Sequence, residues 1–122
     1  MDSISALKAA LAIAQADRQV TDDELEVLSR LCELEGLDGW DSIALRDGAA
    51  KPADLDAALR GIEDEPDRRY VLTLCQVMAL AGGISAPESA LLARIGQRWA
   101  FSALMLEQVR REAETLYARL TG

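Results

Sequence analysis

A run of carboxylates is the feature of this sequence that is best suited to chemistry. Asp17, Asp22, Asp23 and Glu24 lie within eight residues, and Glu88 occupies the position equivalent to Glu24 in a second, similar segment. Carboxylates held close together repel one another, and a bound cation relieves that repulsion. Because these groups are hard oxygen donors, they suit calcium or magnesium better than zinc or copper. The run therefore favours a divalent-cation site at two interhelix turns.

A structural interpretation explains part of the same pattern. Thr21 with Glu24, and Ser85 with Glu88, have the spacing of capping boxes, in which the acid accepts a bond from the backbone N–H of the cap residue. Asp17 is different, because it falls at the end of the first predicted helix, where an acid opposes the helix dipole. It either serves a ligand or accepts bonds from turn N–H groups, as Asp commonly does.

Other catalytic chemistries find little support in the sequence. It contains no histidine, which removes the commonest general base and the usual transition-metal ligand. Cys32 and Cys75 fall on apolar helical positions and are interpreted as buried thiols of a reducing compartment. The first acidic run lacks the spacing of an EF-hand loop. We therefore expect no enzymatic activity and no small-molecule substrate.

Composition predicts one acidic domain spanning residues 1–122. Half of the residues are hydrophobic and the net charge is −8, so nucleic acid is a poor partner and a basic protein surface a better one. Asp2 and Lys8 do not fit a signal peptide, and no apolar stretch approaches the length of a membrane span. The expectation is a cytoplasmic protein with a protein partner and no membrane span.

A repeat organises the chain. At a constant offset of 64 residues, the segment 20–24 returns as 84–88, and apolar positions on both sides match without gaps. The equivalent pairs include Leu7 with Val71, Ile13 with Val77, Leu28 with Leu92, and Leu31 with Ile95. This periodicity predicts two copies of one helix-turn-helix unit, with pseudo-repeats at about 3–46 and 67–121.

The elements that carry these turns are all predicted to be helices, about seven in a compact bundle. The first runs from about Ser3 to Ala16, the second follows the Thr21 cap and stops at Gly36, and two short helices lie between residues 37 and 64. A long helix begins near Pro66 and ends at Gly82-Gly83. Ser85 and Ser102 cap the last two helices. The inner face of the final helix is predicted to comprise Leu106, Val109, Ala113, Leu116, Tyr117 and Leu120.

The two turns together resemble a known family. Residues 16–24, Ala-Asp-Arg-Gln-Val-Thr-Asp-Asp-Glu, are similar to the A-D-G-x-[IV]-[ST]-x-x-E signature of the TerB-like family of tellurite-resistance and related bacterial domains. Residues 80–88 resemble the second copy of that signature, and the likeness covers nearly the whole chain. The resemblance implies a compact helical fold, a cytoplasmic bacterial protein linked to tellurite or stress response, or a module of co-chaperone and membrane-associated complexes.

The resemblance also implies a shared acidic metal site, carried over here onto Asp17, Glu24 and Glu88. Two positions depart from the family pattern: Ala81 replaces the second aspartate, and Arg18 replaces the glycine after the first. A site that lacks one acid, and that carries a positively charged arginine beside another acid, implies weak binding of calcium or magnesium. The sequence thus leads to two hypotheses, a non-enzymatic TerB-like domain with at most a weak cation site, or a helical protein-interaction adaptor with no metal.

Overall fold

The computed structural model describes residues 3–15, 21–36 and 59–122, and this part of the chain forms five helices and no strands. They are α1 (Ser3–Ala14), α2 (Asp22–Leu34), α3 (Glu65–Gly82), α4 (Ala86–Arg98) and α5 (Ala103–Thr121). The all-α prediction is therefore confirmed as a helical bundle. The two short helices predicted from Leu37 to Pro52 and beyond fall largely on residues 37–58, which lie outside the described residues.

The centre of the bundle is the pair α1 and α3. Both helices are buried along most of their length. α1 is buried from Ala6 to Ala14 except at Lys8, and α3 buries nine of its side chains. The sequence predicts one apolar face for α1, but its alanines are buried all round, because α1 lies against α2, α3 and α4 at once. Small side chains permit that close approach on several sides.

The remaining helices pack around this pair. α2 and α4 each contact both α1 and α3, and α5 packs along α3 and touches α2. In α5 the predicted inner face is confirmed for Val109 and Ala113, which are buried. Leu106 is 39% exposed, although its side chain lies close to Gly96 of α4. The inward face of α5 thus begins one turn later than the sequence pattern predicts.

α2 and α4 have the same bounds when shifted by the offset of the sequence repeat. α2 spans Asp22–Leu34 and α4 spans Ala86–Arg98. Each is followed by a residue with positive φ at the same relative place, Gly36 at 69° and Ala100 at 54°. At both ends the backbone N–H of that residue bonds a carbonyl three residues earlier. The left-handed residue therefore closes both helices in the same way, once with glycine and once with alanine.

Other predicted boundaries are confirmed with small differences. α1 ends at Ala14, two residues before the predicted Ala16. Asp64 is the N-cap residue of α3, but its side chain makes no capping hydrogen bond, and Pro66 fills the first turn. Arg68 instead links this region to its neighbours. Its Nε donates a hydrogen bond to the carbonyl of Ile62 at 2.9 Å, and its guanidinium lies 5.6 Å from the centre of the Trp99 ring.

Candidate functional site

The first acidic turn is held by a capping box at the start of α2. Glu24 donates its backbone N–H to Thr21 Oγ1 at 3.1 Å, and Thr21 donates its own N–H to Glu24 Oε1 at 3.0 Å. The Glu24 side chain is only 2% exposed. The capping interpretation of this pair is therefore confirmed. The arrangement also fixes the carboxyl group at the N-terminus of the helix, where the dipole favours negative charge.

The second turn repeats the arrangement at the start of α4. Glu88 donates its backbone N–H to Ser85 Oγ at 3.3 Å, and Ser85 donates its N–H to Glu88 Oε1 at 3.0 Å. Glu88 is 1% exposed. Full burial of a capping glutamate is unusual, since Glu is almost never fully buried unless it has a partner. Both glutamates are thus part of the packed interior.

The carboxyl group of Glu24 reaches across to the end of α3, immediately before the second turn. A Cβ atom added at Gly82 would lie 2.8 Å from Glu24 Cδ and 2.9 Å from its Oε1. Only a residue without a side chain permits this contact. The sequence predicts Gly82 merely as part of a helix stop. In the structure, the absence of a side chain at Gly82 also lets the Glu24 carboxyl group pack against the C-terminal turn of α3.

The Glu88 carboxyl group has one oxygen that the capping box leaves unused. Oε2 of Glu88 is buried and accepts no hydrogen bond. A buried polar atom without a partner costs roughly 1–3 kcal/mol, more when it carries charge. A cation supplied at this oxygen offsets that cost, and a carboxylate oxygen is a ligand that calcium, magnesium and manganese accept. The chemistry of Glu88 therefore fits the ion that the sequence implies.

The described residues contain two of the three predicted metal ligands. Asp17 lies outside them, so the predicted set of Asp17, Glu24 and Glu88 stays a prediction. Within residues 3–15, 21–36 and 59–122, no group of three or more His, Cys, Asp or Glu side chains is placed to hold a metal ion. Asp22 and Asp23 are exposed in the first turn of α2, where they face the helix dipole.

Two further groups with perturbed acidity lie away from the turns. Burial raises the pKa of the Cys75 thiol to about 12, so the thiol stays protonated at neutral pH. Burial, together with a hydrogen bond donated to Glu35 Oε1, raises the pKa of Tyr70 above its usual value. The Tyr70 bond joins α3 to the C-cap residue of α2. Both effects belong to the packed core, and neither creates an activated nucleophile.

No family model, curated protein or solved structure matches this chain. Among the described helices, none combines the length and the apolar character needed to cross a membrane.

Proposed function

We propose that this protein is a non-enzymatic domain of the TerB-like kind, an interaction or stress-response module with a weak divalent-cation site of Asp17, Glu24 and Glu88. The observation that carries the proposal is the buried, unused Oε2 of Glu88. The contact of the Glu24 carboxyl group with Gly82 supports it, because that contact brings the first acidic turn against the segment that leads into the second.

The proposed architecture is two copies of one unit within about seven helices. The identical relative bounds of α2 and α4, their two capping boxes and their two left-handed C-terminal residues support the duplication. The central contact between α1 and α3, with α2 and α4 each touching both, is the pattern expected from an approximate two-fold relation. In such an arrangement the N-termini of α2 and α4, which carry Glu24 and Glu88, lie at the same end of the bundle.

Binding at this site is weak for reasons of charge. Calcium takes six to eight oxygen ligands, and here Ala81 stands where a fourth acid is expected. Arg18 adds a positive charge within the sequence segment that carries Asp17. Waters must complete the coordination, so the ion is exchanged readily. Such a site serves to hold two turns together rather than to activate a substrate.

An adaptor without metal is the second candidate, and exposed apolar side chains favour it. Leu104 is 68% exposed and Ile84 is 47% exposed, at opposite ends of the α4 region. A net charge of −8 draws such an adaptor toward a basic partner, and the proposed setting is the cytoplasm.

Isothermal titration calorimetry separates the two candidates. Calcium, magnesium and manganese are titrated into the wild-type protein and into the Asp17→Ala and Glu88→Gln variants, with Glu107→Gln as a control that removes an exposed acid of α5. The cation proposal predicts heat of binding that both site variants abolish and the control retains. Heat that is absent in the wild type, or that survives both site substitutions, rejects the ion and leaves the adaptor.

A further inference from the structure

A pocket lies between α2 and α5. Its volume is about 260 Å³, and it is lined by side chains of both helices: Asp23, Glu26, Val27, Arg30, Tyr117 and Thr121. It lies on the outer side of the first acidic turn, because Asp23 belongs to that turn while Glu24 points into the protein. The pocket is therefore separate from the buried glutamates.

The walls combine acidic, aromatic and apolar surface. Asp23 and Glu26 are three residues apart on α2, so their carboxylates stand on neighbouring turns of one helix face. Val27 is 3% exposed and gives the pocket an apolar floor. Tyr117 supplies an aromatic ring from α5. This combination suits a side chain with a long apolar stem and a cationic end.

Arg30 occupies part of this acidic surface from inside the chain. Its Nη2 lies 3.1 Å from Glu26 Oε1, and the two side chains are 48% and 64% exposed. An exposed pair of this kind is worth at most about 1 kcal/mol, so an incoming cation can displace it. With two carboxylates and one guanidinium, the lining keeps one negative charge that is not compensated within the pocket.

We propose that this pocket binds an arginine side chain from a basic segment of a partner protein. The inference rests on the proposed role as an interaction domain and names the chemistry of the partner. A guanidinium is planar and weakly hydrated, so it stacks on Tyr117 while its N–H groups bond Asp23 and Glu26. Its methylene stem covers Val27. The net charge of −8 attracts a basic segment toward this surface.

A peptide titration followed by ¹⁵N–¹H NMR tests the pocket. The probe is the tripeptide Gly-Arg-Gly, acetylated and amidated so that arginine carries its only charge, and the matched peptide carries neutral citrulline. EDTA is present throughout, which makes the result independent of the cation site. Binding is expected to shift amides within 23–30 and 117–121, to weaken at high salt and to be absent with citrulline.

Four variants sharpen the titration. Asp23→Asn and Glu26→Gln are each expected to weaken binding about threefold to fivefold, the effect of one exposed ion pair. Arg30→Gln is expected to strengthen it, since it removes the internal competitor. Glu107→Gln is the control: it removes the same charge from α5, yet it lies about 15 Å along the helix from Tyr117, and binding should not change.

Four outcomes overturn the inference. One is equal binding of the citrulline peptide, and another is a set of shifts confined to the turns 21–24 and 84–88. The third is weaker binding of the arginine peptide to Arg30→Gln, which means that Arg30 does not compete with the guanidinium for Asp23 and Glu26. If the peptide fails to bind while calorimetry still detects the divalent ion, the arginine pocket is rejected and the cation proposal stands.

Discussion

The starts of α2 and α4 share one backbone conformation but carry different side chains in the first turn. Their N-cap residues, Thr21 and Ser85, have φ of −79° and −85° with ψ of 163° and 165°, and each is bonded to a glutamate three residues later. Between cap and glutamate, however, α2 carries Asp22-Asp23 and α4 carries Ala86-Pro87. The cap and the buried glutamate therefore build the fold, and the residues between them set the surface charge.

The ends of the same helices also share one backbone conformation and differ in residue type. Gly36 and Ala100 take the same left-handed conformation, but only glycine does so without steric cost. A Cβ atom at Gly36 would meet nothing within 4 Å, so the cost of a side chain there comes from its left-handed backbone conformation and not from crowding by neighbours. The end of α2 is thus relaxed, and the end of α4 carries a small strain.

Loss of either buried glutamate should have the largest effect. Glu24→Ala and Glu88→Ala each remove a capping bond and leave a backbone N–H without its acceptor, so each should lower the free energy of unfolding by about 2 kcal/mol. Urea denaturation of the two variants measures this. Similar losses sharpen the comparison, whereas a loss in one variant only would mean that the two turns do not contribute equally to the fold.

Gly82→Ala tests the contact between the first turn and α3. The new methyl group meets the Glu24 carboxyl group, displaces it from its capping box and should destabilise the protein by about 1 kcal/mol. In a Glu24→Ala background the clash is gone, and alanine in a helix is better than glycine by roughly 0.5–1 kcal/mol. The sign of the substitution should therefore reverse between the two backgrounds. The contact is refuted if thermal or urea unfolding gives the same sign in both.

Exchanging the residues at the two helix ends should have the smallest effect. Ala100→Gly relieves a left-handed alanine and should stabilise the protein by about 0.5–1 kcal/mol, since part of the relief is offset by the greater freedom of glycine in the unfolded chain. Gly36→Ala should destabilise it by a similar amount. Melting temperatures that move in opposite directions support the matched geometry. A shift of the same sign in both variants contradicts it.

Sequence reasoning was most successful where local chemistry decides the structure. Both capping boxes follow from residue types three positions apart, and Gly36 follows from the need for a left-handed residue after a helix. The contact at Gly82 could not be read in this way, because it joins α3 to a side chain 58 positions earlier in the chain. The burial of Glu88 likewise depends on packing between helices, and the spacing of a capping box does not predict that packing.

The pocket shows the same limit. Asp23, Glu26 and Arg30 lie on an exposed face of α2, and the sequence predicts Tyr117 only as part of the inner face of α5. Only the packing of α5 beside α2 brings that ring to the acidic face. Sequence periodicity identifies which side of each helix is apolar, but it does not identify which two helix edges meet.

Paramagnetic line broadening by manganese tests the central claim most directly, namely that two equivalent turns bring their glutamates to one cation. With substoichiometric Mn²⁺, amides of 21–24 and 84–88 should broaden together in ¹⁵N–¹H spectra, and Glu88→Gln should abolish the broadening at both turns. Broadening restricted to the exposed Asp22-Asp23 turn, or unchanged by Glu88→Gln, would contradict the account.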